Sequence, residues 1–282
     1  MPRSLNLLSK EDFGCGSYWT IRHDVIEGGG CKGVYLHNSI TEEIAHHKPI
    51  YRYYAFQYLI ELLEKKQLFV PSRQKFSDLR EHSDSYCRSI DEIVRRFNIV
   101  PNHRQKKSMR LWRERAMQIW NQPISCWTFD SHINDGGVET NENYLLWKCH
   151  ADKQLVCRVE STIADFANSI VLLNHDIMAS SIDYVDVERF RIYNPVSEVF
   201  EKPSFYVHED EFRFVVLHNE ESYDSKTDNI LLDVNPFKLI NKITLSLFVS
   251  PEIEKLMQER LLMAMGDNVI PVKKSMLMEY IV

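Results

Sequence analysis

Two carboxylates and a guanidinium recur at every second position in the run YVHEDEFRFVV, Tyr206 to Val216: Glu209, Glu211 and Arg213. Read as a strand, the run alternates between two faces. Val207, Glu209, Glu211, Arg213 and Val215 fall on one, and Tyr206, Phe212, Phe214 and Val216 on the other, with His208 and Asp210 near the strand's start. Successive side chains on one face lie about 7 Å apart. Two carboxylates at that spacing make a plausible site of carboxylate chemistry. The same pattern also suits a solvated strand on which Arg213 pairs with its glutamates at the surface. In either case the aromatic face anchors a core.

Two further stretches carry chemistry. IYRYY, Ile50 to Tyr54, sets Arg52 among aromatics on a strand. A guanidinium can grip a phosphate with two parallel hydrogen bonds, and a tyrosine such as Tyr53 offers a flat face to a base. A salt bridge from Arg52 to a sheet carboxylate is the plainer alternative. ISCWTF, Ile124 to Phe129, sets Ser125 and Thr128 in an apolar strand. Such hydroxyls can orient a carboxylate or a ligand, although threonine also occurs in strands for its β-propensity alone. No H-E-x-x-H, G-x-S-x-G or P-loop occurs, which removes the common zinc hydrolase, serine hydrolase and NTPase signatures. The histidines have no ligand-like spacing, so no metal site is expected.

The elements that must position these residues follow from periodicity and caps. Ile50 to Tyr54 leads into a helix over roughly Ala55 to Lys66, with Leu59, Leu62 and Leu63 on one side. A strand follows over Leu68 to Ser72, stopped by Pro71. Ser89 to Trp120 is expected to be helical, broken by Pro101. Ile124 to Phe129 is a strand, a short apolar helix or turn surrounds Trp147, and Leu155 to Glu160 is a strand. Ser161 is the expected N-cap for Thr162 to Leu173. Ile182 to Val187, Ile230 to Val234 and Lys242 to Ser250 read as strands. The last helix has Ser250 as cap, Pro251 at its first position, Glu252 and Glu254 in its first turn and Gly266 at its end. The closing residues can add an edge strand. Gly28 to Gly33, GGGCKG, reads as a turn between two short strands. Strands and helices alternate without a regular β-α-β repeat, which predicts an α+β fold: a mixed or antiparallel sheet flanked by helices. The expected organisation is a leader over residues 1–48, then one α+β domain over 49–282 with a basic helical insertion at about 88–120.

Composition bounds the setting. The 282 residues are 44% hydrophobic, enough for a substantial core. No window approaches the roughly 18 apolar residues of a membrane span, and the N-terminal run has no apolar segment before its first acid, so neither a membrane anchor nor a secretory signal is expected. The six cysteines are scattered without a C-x-x-C pair, which suits a reduced, cytoplasmic protein. The net charge of −6 hides nine Lys or Arg against three acids between Arg88 and Arg115. A basic island on an acidic body suits a local anion or nucleic-acid contact, for which Arg104, Lys106, Lys107 and Arg110 are the candidates.

Arg52 on the first core strand, the Ser125–Thr128 strand in the middle and Glu209-x-Glu211 on a later strand together resemble the R-S-E arrangement of ADP-ribosyltransferases. Tyr51 to Ser72 is similar to the strand–helix–strand opening of that fold. From Ile50 onward the chain also resembles a widespread bacterial domain-of-unknown-function family in KFSD (Lys75 to Asp78), CWTF (Cys126 to Phe129), LLWKCHAD (Leu145 to Asp152), HEDEFR (His208 to Arg213) and KKSML (Lys273 to Leu277). The chain departs from the transferase pattern in its middle strand, Ser-Cys-Trp-Thr, and in the long spacings between the three motifs. The resemblance implies NAD as substrate, its diphosphate near Arg52 and its nicotinamide against Tyr53 or Trp127. It also implies Glu211 on the ribose 2′-hydroxyl, Glu209 positioning or deprotonating the acceptor, and Arg213 holding the carboxylates. The implied acceptor is a nucleic acid or a protein, and the implied context is bacterial defence or a toxin. A nucleic-acid-binding protein using Arg88 to Arg115, and a non-catalytic sensor or interaction module, are the alternatives.

Overall fold

Alternation within one strand organises the molecule: Phe212, Phe214 and Val216 are fully buried on one face, while Glu211, Arg213 and Val215 point to the other. In this computed structural model, residues 19–21, 33–37, 39–72, 100–107, 110, 122–130, 142–151, 155–171, 175–185, 199–217 and 229–277 are described. Their strands are β1 (Trp19–Ile21), β2 (Val34–His37), β3 (Pro49–Ala55), β4 (Gln67–Val70), β5 (Ile124–Thr128), β6 (Val156–Thr162) and β7 (Asp176–Ser181). They continue with β8 (Asp183–Val185), β9 (Glu201–Pro203), β10 (Glu211–Leu217), β11 (Ile230–Asp233), β12 (Lys242–Leu245) and β13 (Val272–Lys274). The helices are α1 (Glu42–His47), α2 (Phe56–Lys65), α3 (Tyr144–Ala151), α4 (Ile163–Ser169), α5 (Pro236–Leu239) and α6 (Pro251–Met265).

Nine strands join in the order β1-β2-β7-β10-β5-β3-β6-β12-β13. Pairing is antiparallel except at β2–β7 and β12–β13, so the fold is α+β with a mixed sheet, as expected. Two small two-stranded sheets, β11-β4 and β8-β9, lie beside it. Helices cover the face that carries Phe212 and Phe214. α2 buries Leu59, Ile60, Leu62 and Leu63, α4 buries Phe166, and α6 buries Met257, Leu261 and Met265. The Phe166 and Phe214 rings stack with centroids 3.6 Å apart. The reverse face has two smaller apolar clusters, one around Ile124, Val199 and Val215, the other around Tyr53, Trp147 and Leu277. Thr128, Glu211 and Arg213 lie on this face.

Local signals account for most boundaries. The Ser250 hydroxyl accepts from Ile253 N–H, Pro251 opens α6, and Gly266 at φ +59° ends it. Lys66 closes α2 in the left-handed conformation, turning the chain into β4. Three expectations shift. Thr162, not Ser161, caps α4: it is the last residue of β6, and its hydroxyl accepts from Asp165 N–H. The strand expected over 242–250 ends at Leu245, and a turn leads to the Ser250 cap. Residues 34–47, expected within a leader, supply β2 to the sheet and α1 to its helical face. Gly28 to Lys32 and most of the 88–120 segment lie outside the described residues, although β1 and β2 do pair antiparallel around the former. None of the described helices is long and apolar enough to cross a membrane.

The Phe166–Phe214 stack should be a main contributor to folding. Phe214→Ala is expected to lower the unfolding free energy by about 3–5 kcal/mol, measured as a shift of the urea midpoint at unchanged slope.

Candidate active site

β3, β5 and β10 lie side by side, so the three motifs occupy neighbouring strands. β5 pairs with β10 over five positions, from Glu211↔Thr128 to Val215↔Ile124. β3 pairs with β6 over seven. Between β3 and β5 the register contains one pair, Tyr51↔Thr128, and beyond it the strands part. The far end of the gap is closed where Ile124 N–H donates to Pro71 O, at the end of the α2–β4 excursion. A cavity of about 390 Å³ opens there. Arg52 and Tyr53 line it from β3, and Cys126, Trp127 and Thr128 from β5. Leu146 and His150 contribute from α3, Glu211 from β10, and Lys202, Tyr206 and Glu209 from the segment before β10.

That segment corrects the strand expected over Tyr206 to Val216. Ser204–Glu209 is a 3-10 helix entered through Pro203, and Asp210 follows in the left-handed region at φ 42°. Aspartate tolerates that conformation better than most residues, and β10 therefore begins only at Glu211. Glu209 and Glu211 do not share a strand face. They meet through Lys202 on β9, whose ammonium lies 2.6 Å from a Glu209 oxygen and 3.3 Å from Glu211 Oε2. The same ammonium lies over the Tyr206 ring, 4.4 Å from its centroid.

Arg213 grips Glu211 with two bonds, Nε to Oε1 at 2.7 Å and Nη2 to Oε2 at 3.0 Å. Both side chains are buried, so the pair is not the surface contact that the solvated alternative supposed. Arg213 also donates to Val199 O at 2.8 Å, anchoring the start of the β9 segment. Burial opposes charge on Glu211, yet Arg213 and then Lys202 outweigh it and hold the carboxyl down at about 2. Glu211 is therefore a fixed anion at neutral pH, suited to stabilising a cation and unsuited to donating a proton.

Arg52 and Ser125 alternate onto the helix-covered side, opposite to Thr128 and Glu211. Arg52 Nη1 donates to Ser125 Oγ at 2.9 Å, and Trp127 Nε1 donates to the same oxygen at 3.0 Å. Arg52 reaches the cavity because the strands part beside it. Ser125 orients Arg52 without lining the cavity, and Arg213 likewise stands behind Glu211. The Trp127 ring packs edge-on against Phe166 in the core. Tyr53 is also buried, its ring stacked parallel to His150 at 5.7 Å and met edge-on by Trp147 at 5.0 Å, but it lies on the same side of the sheet as Thr128 and Glu211.

A second polar cluster adjoins Thr128. Asp130 Oδ2 accepts from Tyr53 Oη at 2.9 Å and from Arg158 Nη1 at 2.8 Å. The Asp130 backbone N–H donates to Thr128 Oγ1 at 3.0 Å. Burial pushes the Asp130 carboxyl up to about 6, against the pull of Arg158 and Tyr53. Asn143 joins the parts: its side chain donates to His208 O at 2.8 Å, its backbone N–H donates to Tyr53 Oη at 3.2 Å, and its side-chain oxygen accepts from Leu145 and Leu146 at the start of α3. Glu142 latches the C-terminal segment to the same helix, accepting from Trp147 Nε1, Ser275 Oγ and Met276 N–H.

Sequence reasoning missed Lys202, Asp130, Arg158 and Asn143. Arg158 had a readable signal, since a lone arginine inside the apolar run VCRV needs a buried partner. Asn143 directly precedes a helix, in the position of a cap. Arg104, Lys106, Lys107 and Arg110 are exposed, and residues 103–107 are helical. Among the described residues no three His, Cys, Asp or Glu side chains group as metal ligands. No family model, curated protein or solved structure matches this chain.

The Glu211 carboxyl sits near 2 in the fold against an ordinary 4.5. A depressed carboxyl stabilises the fold above its unfolded value, and that stabilisation disappears as pH falls from about 4.5 towards 2. Asp130 acts in the opposite sense, withdrawing stability as pH rises from its ordinary 3.8 to about 6. In Glu211→Gln the acid-side loss should flatten. At neutral pH the variant should be less stable by about 3–5 kcal/mol, because Arg213 is left buried without its anion. Urea unfolding from strongly acid to neutral pH measures both effects.

Proposed function

We propose that this chain cleaves the nicotinamide–ribose bond of NAD, as an ADP-ribosyltransferase or NAD glycohydrolase. The observation that carries this is the meeting of Arg52, Thr128 and Glu211, from three neighbouring strands, around the crevice where β3 and β5 part. The cavity falls within the usual range of small-molecule sites, about 300–1,000 Å³.

Each residue has a task in that reaction. A guanidinium offers five donors in a fixed fork, and its bond to Ser125 aims Arg52 toward the crevice for a diphosphate. Tyr53, its hydroxyl fixed by Asp130 and Asn143, supplies a rigid face for the nicotinamide ring. Bond cleavage passes through an oxocarbenium-like state. Glu211, held ionised by Arg213, accepts the ribose 2′-hydroxyl and stabilises the developing cation. Glu209, less buried than Glu211, takes the proton of the attacking nucleophile. Thr128 is better placed to orient Asp130 and the β3–β5 junction than to touch substrate.

Purified protein should release nicotinamide from NAD. Glu211→Gln, assayed below its unfolding transition, should lower the turnover number by about 10²–10³-fold. Arg52→Ala should raise KM for NAD by about 10–100-fold, the worth of a charge-assisted hydrogen bond. If the folded wild-type chain neither binds NAD nor releases nicotinamide with water or a range of acceptors, the proposal is wrong.

The exposure of Arg104, Lys106, Lys107 and Arg110 favours a second role in holding a nucleic acid through its phosphates. Replacing all four with Gln should weaken RNA or DNA binding. On a DNA duplex it should also reduce the slope of log affinity against log salt, by up to about 0.9 for each phosphate that the variant no longer neutralises. Absence of binding by the wild type at low salt overturns this role.

A further inference from the structure

Lys202 has no place in the reaction just described, yet its amine stands where an acceptor nucleophile would stand. Its side chain is buried and faces the cavity. Its nitrogen lies 2.6 Å from Glu209, the carboxylate available to take a proton, and 3.3 Å from Glu211, the carboxylate assigned to the ribose. The Tyr206 ring against it limits where the amine can swing, and Pro203 and the 3-10 turn fix the backbone that carries it. A primary amine, a base and a ribose-binding anion thus converge within hydrogen-bonding distance. An external acceptor that relied on Glu209 would have to displace an ammonium already seated there.

We propose that Lys202 is an internal acceptor, and that the chain ADP-ribosylates itself at this nitrogen. The inference rests on the NAD-cleaving function proposed above. In the step, the Lys202 ammonium gives one proton to Glu209 and becomes a neutral amine. The amine nitrogen bonds to C1′ of the ribose as the C1′–N bond to nicotinamide breaks, and the electron pair of that bond leaves with nicotinamide as a neutral pyridine. The product is a secondary ammonium on Lys202, and Glu209, about a quarter exposed, passes its proton to solvent. The first proton transfer also removes a positive charge from beside Glu211 as the ribose becomes cationic. No oxidant or other co-reactant is needed. The modified side chain would fill the cavity and oppose further turnover, so the modification is expected once per chain.

The test uses the unaltered full chain. It is incubated with NAD, nicotinamide is quantified, and the protein is digested and mapped by mass spectrometry. The expected result is one ADP-ribosyl group per chain, on the Lys202 peptide, appearing with a burst of nicotinamide. In Glu209→Gln the modification rate should drop by about 10²-fold or more. Nicotinamide release with Lys202 unmodified overturns the inference and leaves the NAD-cleaving function standing. An equal spread of adducts over exposed lysines, or the same Lys202 adduct from free ADP-ribose, also overturns it. Absence of both nicotinamide and adduct overturns the inference together with the function on which it rests.

Discussion

The buried bidentate contact between Arg213 and Glu211 is the constraint from which the site follows. Two charges removed from water are tolerated only when their geometry and remaining hydrogen bonds are nearly complete. Here the requirement is met by β10 lying centrally in the sheet, which fixes both side chains on one face two residues apart. Arg213 then uses a further donor on Val199 O, and Glu211 draws in Lys202. The segment before β10 is therefore fastened to the strand by the pair itself. Its path, a 3-10 turn followed by a left-handed Asp210, gives Glu209 its position. The distance between the two carboxylates is set by this ionic bracket and not by strand pitch.

The parting of β3 from β5 solves a second geometric problem. In a continuous sheet, Arg52 and Glu211 would stand on opposite faces and could not serve one ligand. A sheet that pairs at Tyr51↔Thr128 and then opens lets both reach the same crevice. The excursion through α2 and β4 keeps it open, because Pro71 returns to bond the start of β5 and so spaces it from β3. The Asp130–Tyr53–Arg158 cluster braces the closed end, and Asn143 ties that cluster to α3 and to the 3-10 turn. Tight pairing on either side of a local opening gives a rigid wall to a polar cavity, which is what preorganised binding needs.

What could be read from the sequence divides along physical lines. Phe212, Phe214 and Val216 alternate against charged neighbours, and that local pattern marks a strand with one buried face. The Ser250 cap, Pro251 and Gly266 delimit α6 for the same reason, since caps are local chemistry. Glu209 defeats the pattern: alternation continues back through it on paper, but Pro203 and Asp210 bend the backbone, and only backbone geometry reveals this. β2 reads as part of a leader because its partner, β7, lies far along the chain and no local signal marks a parallel pairing. Lys202 sits in a short polar run with no periodicity, and its importance comes wholly from two carboxylates brought to it by the fold. Arg52 and Ser125 were legible as residue types, and their mutual hydrogen bond was not.

The charges of Glu209, Lys202, Glu211 and Arg213 sum to zero, and this balance bears on both stability and chemistry. A neutral, hydrogen-bonded quartet is far less costly to bury than a lone carboxylate. The corresponding drawback is that the quartet leaves no surplus anion for a cation forming in the cavity. A proton passed from Lys202 to Glu209 leaves that sum at zero, and the quartet gains a surplus anion only when Glu209 releases the proton to solvent. Lys202 is the cation able to start this, because an amine surrenders a proton far more easily than a guanidinium does. A unit charge 3.3 Å from Glu211 interacts with it by on the order of 5 kcal/mol at an effective dielectric near 20. In the proposed reaction, moving one proton from Lys202 to Glu209 would remove that competition for Glu211 as the ribosyl cation forms. In the proposed self-modification, Glu211 is screened by the Lys202 ammonium at rest and is freed for the ribosyl cation only as Lys202 gives up its proton and becomes the nucleophile.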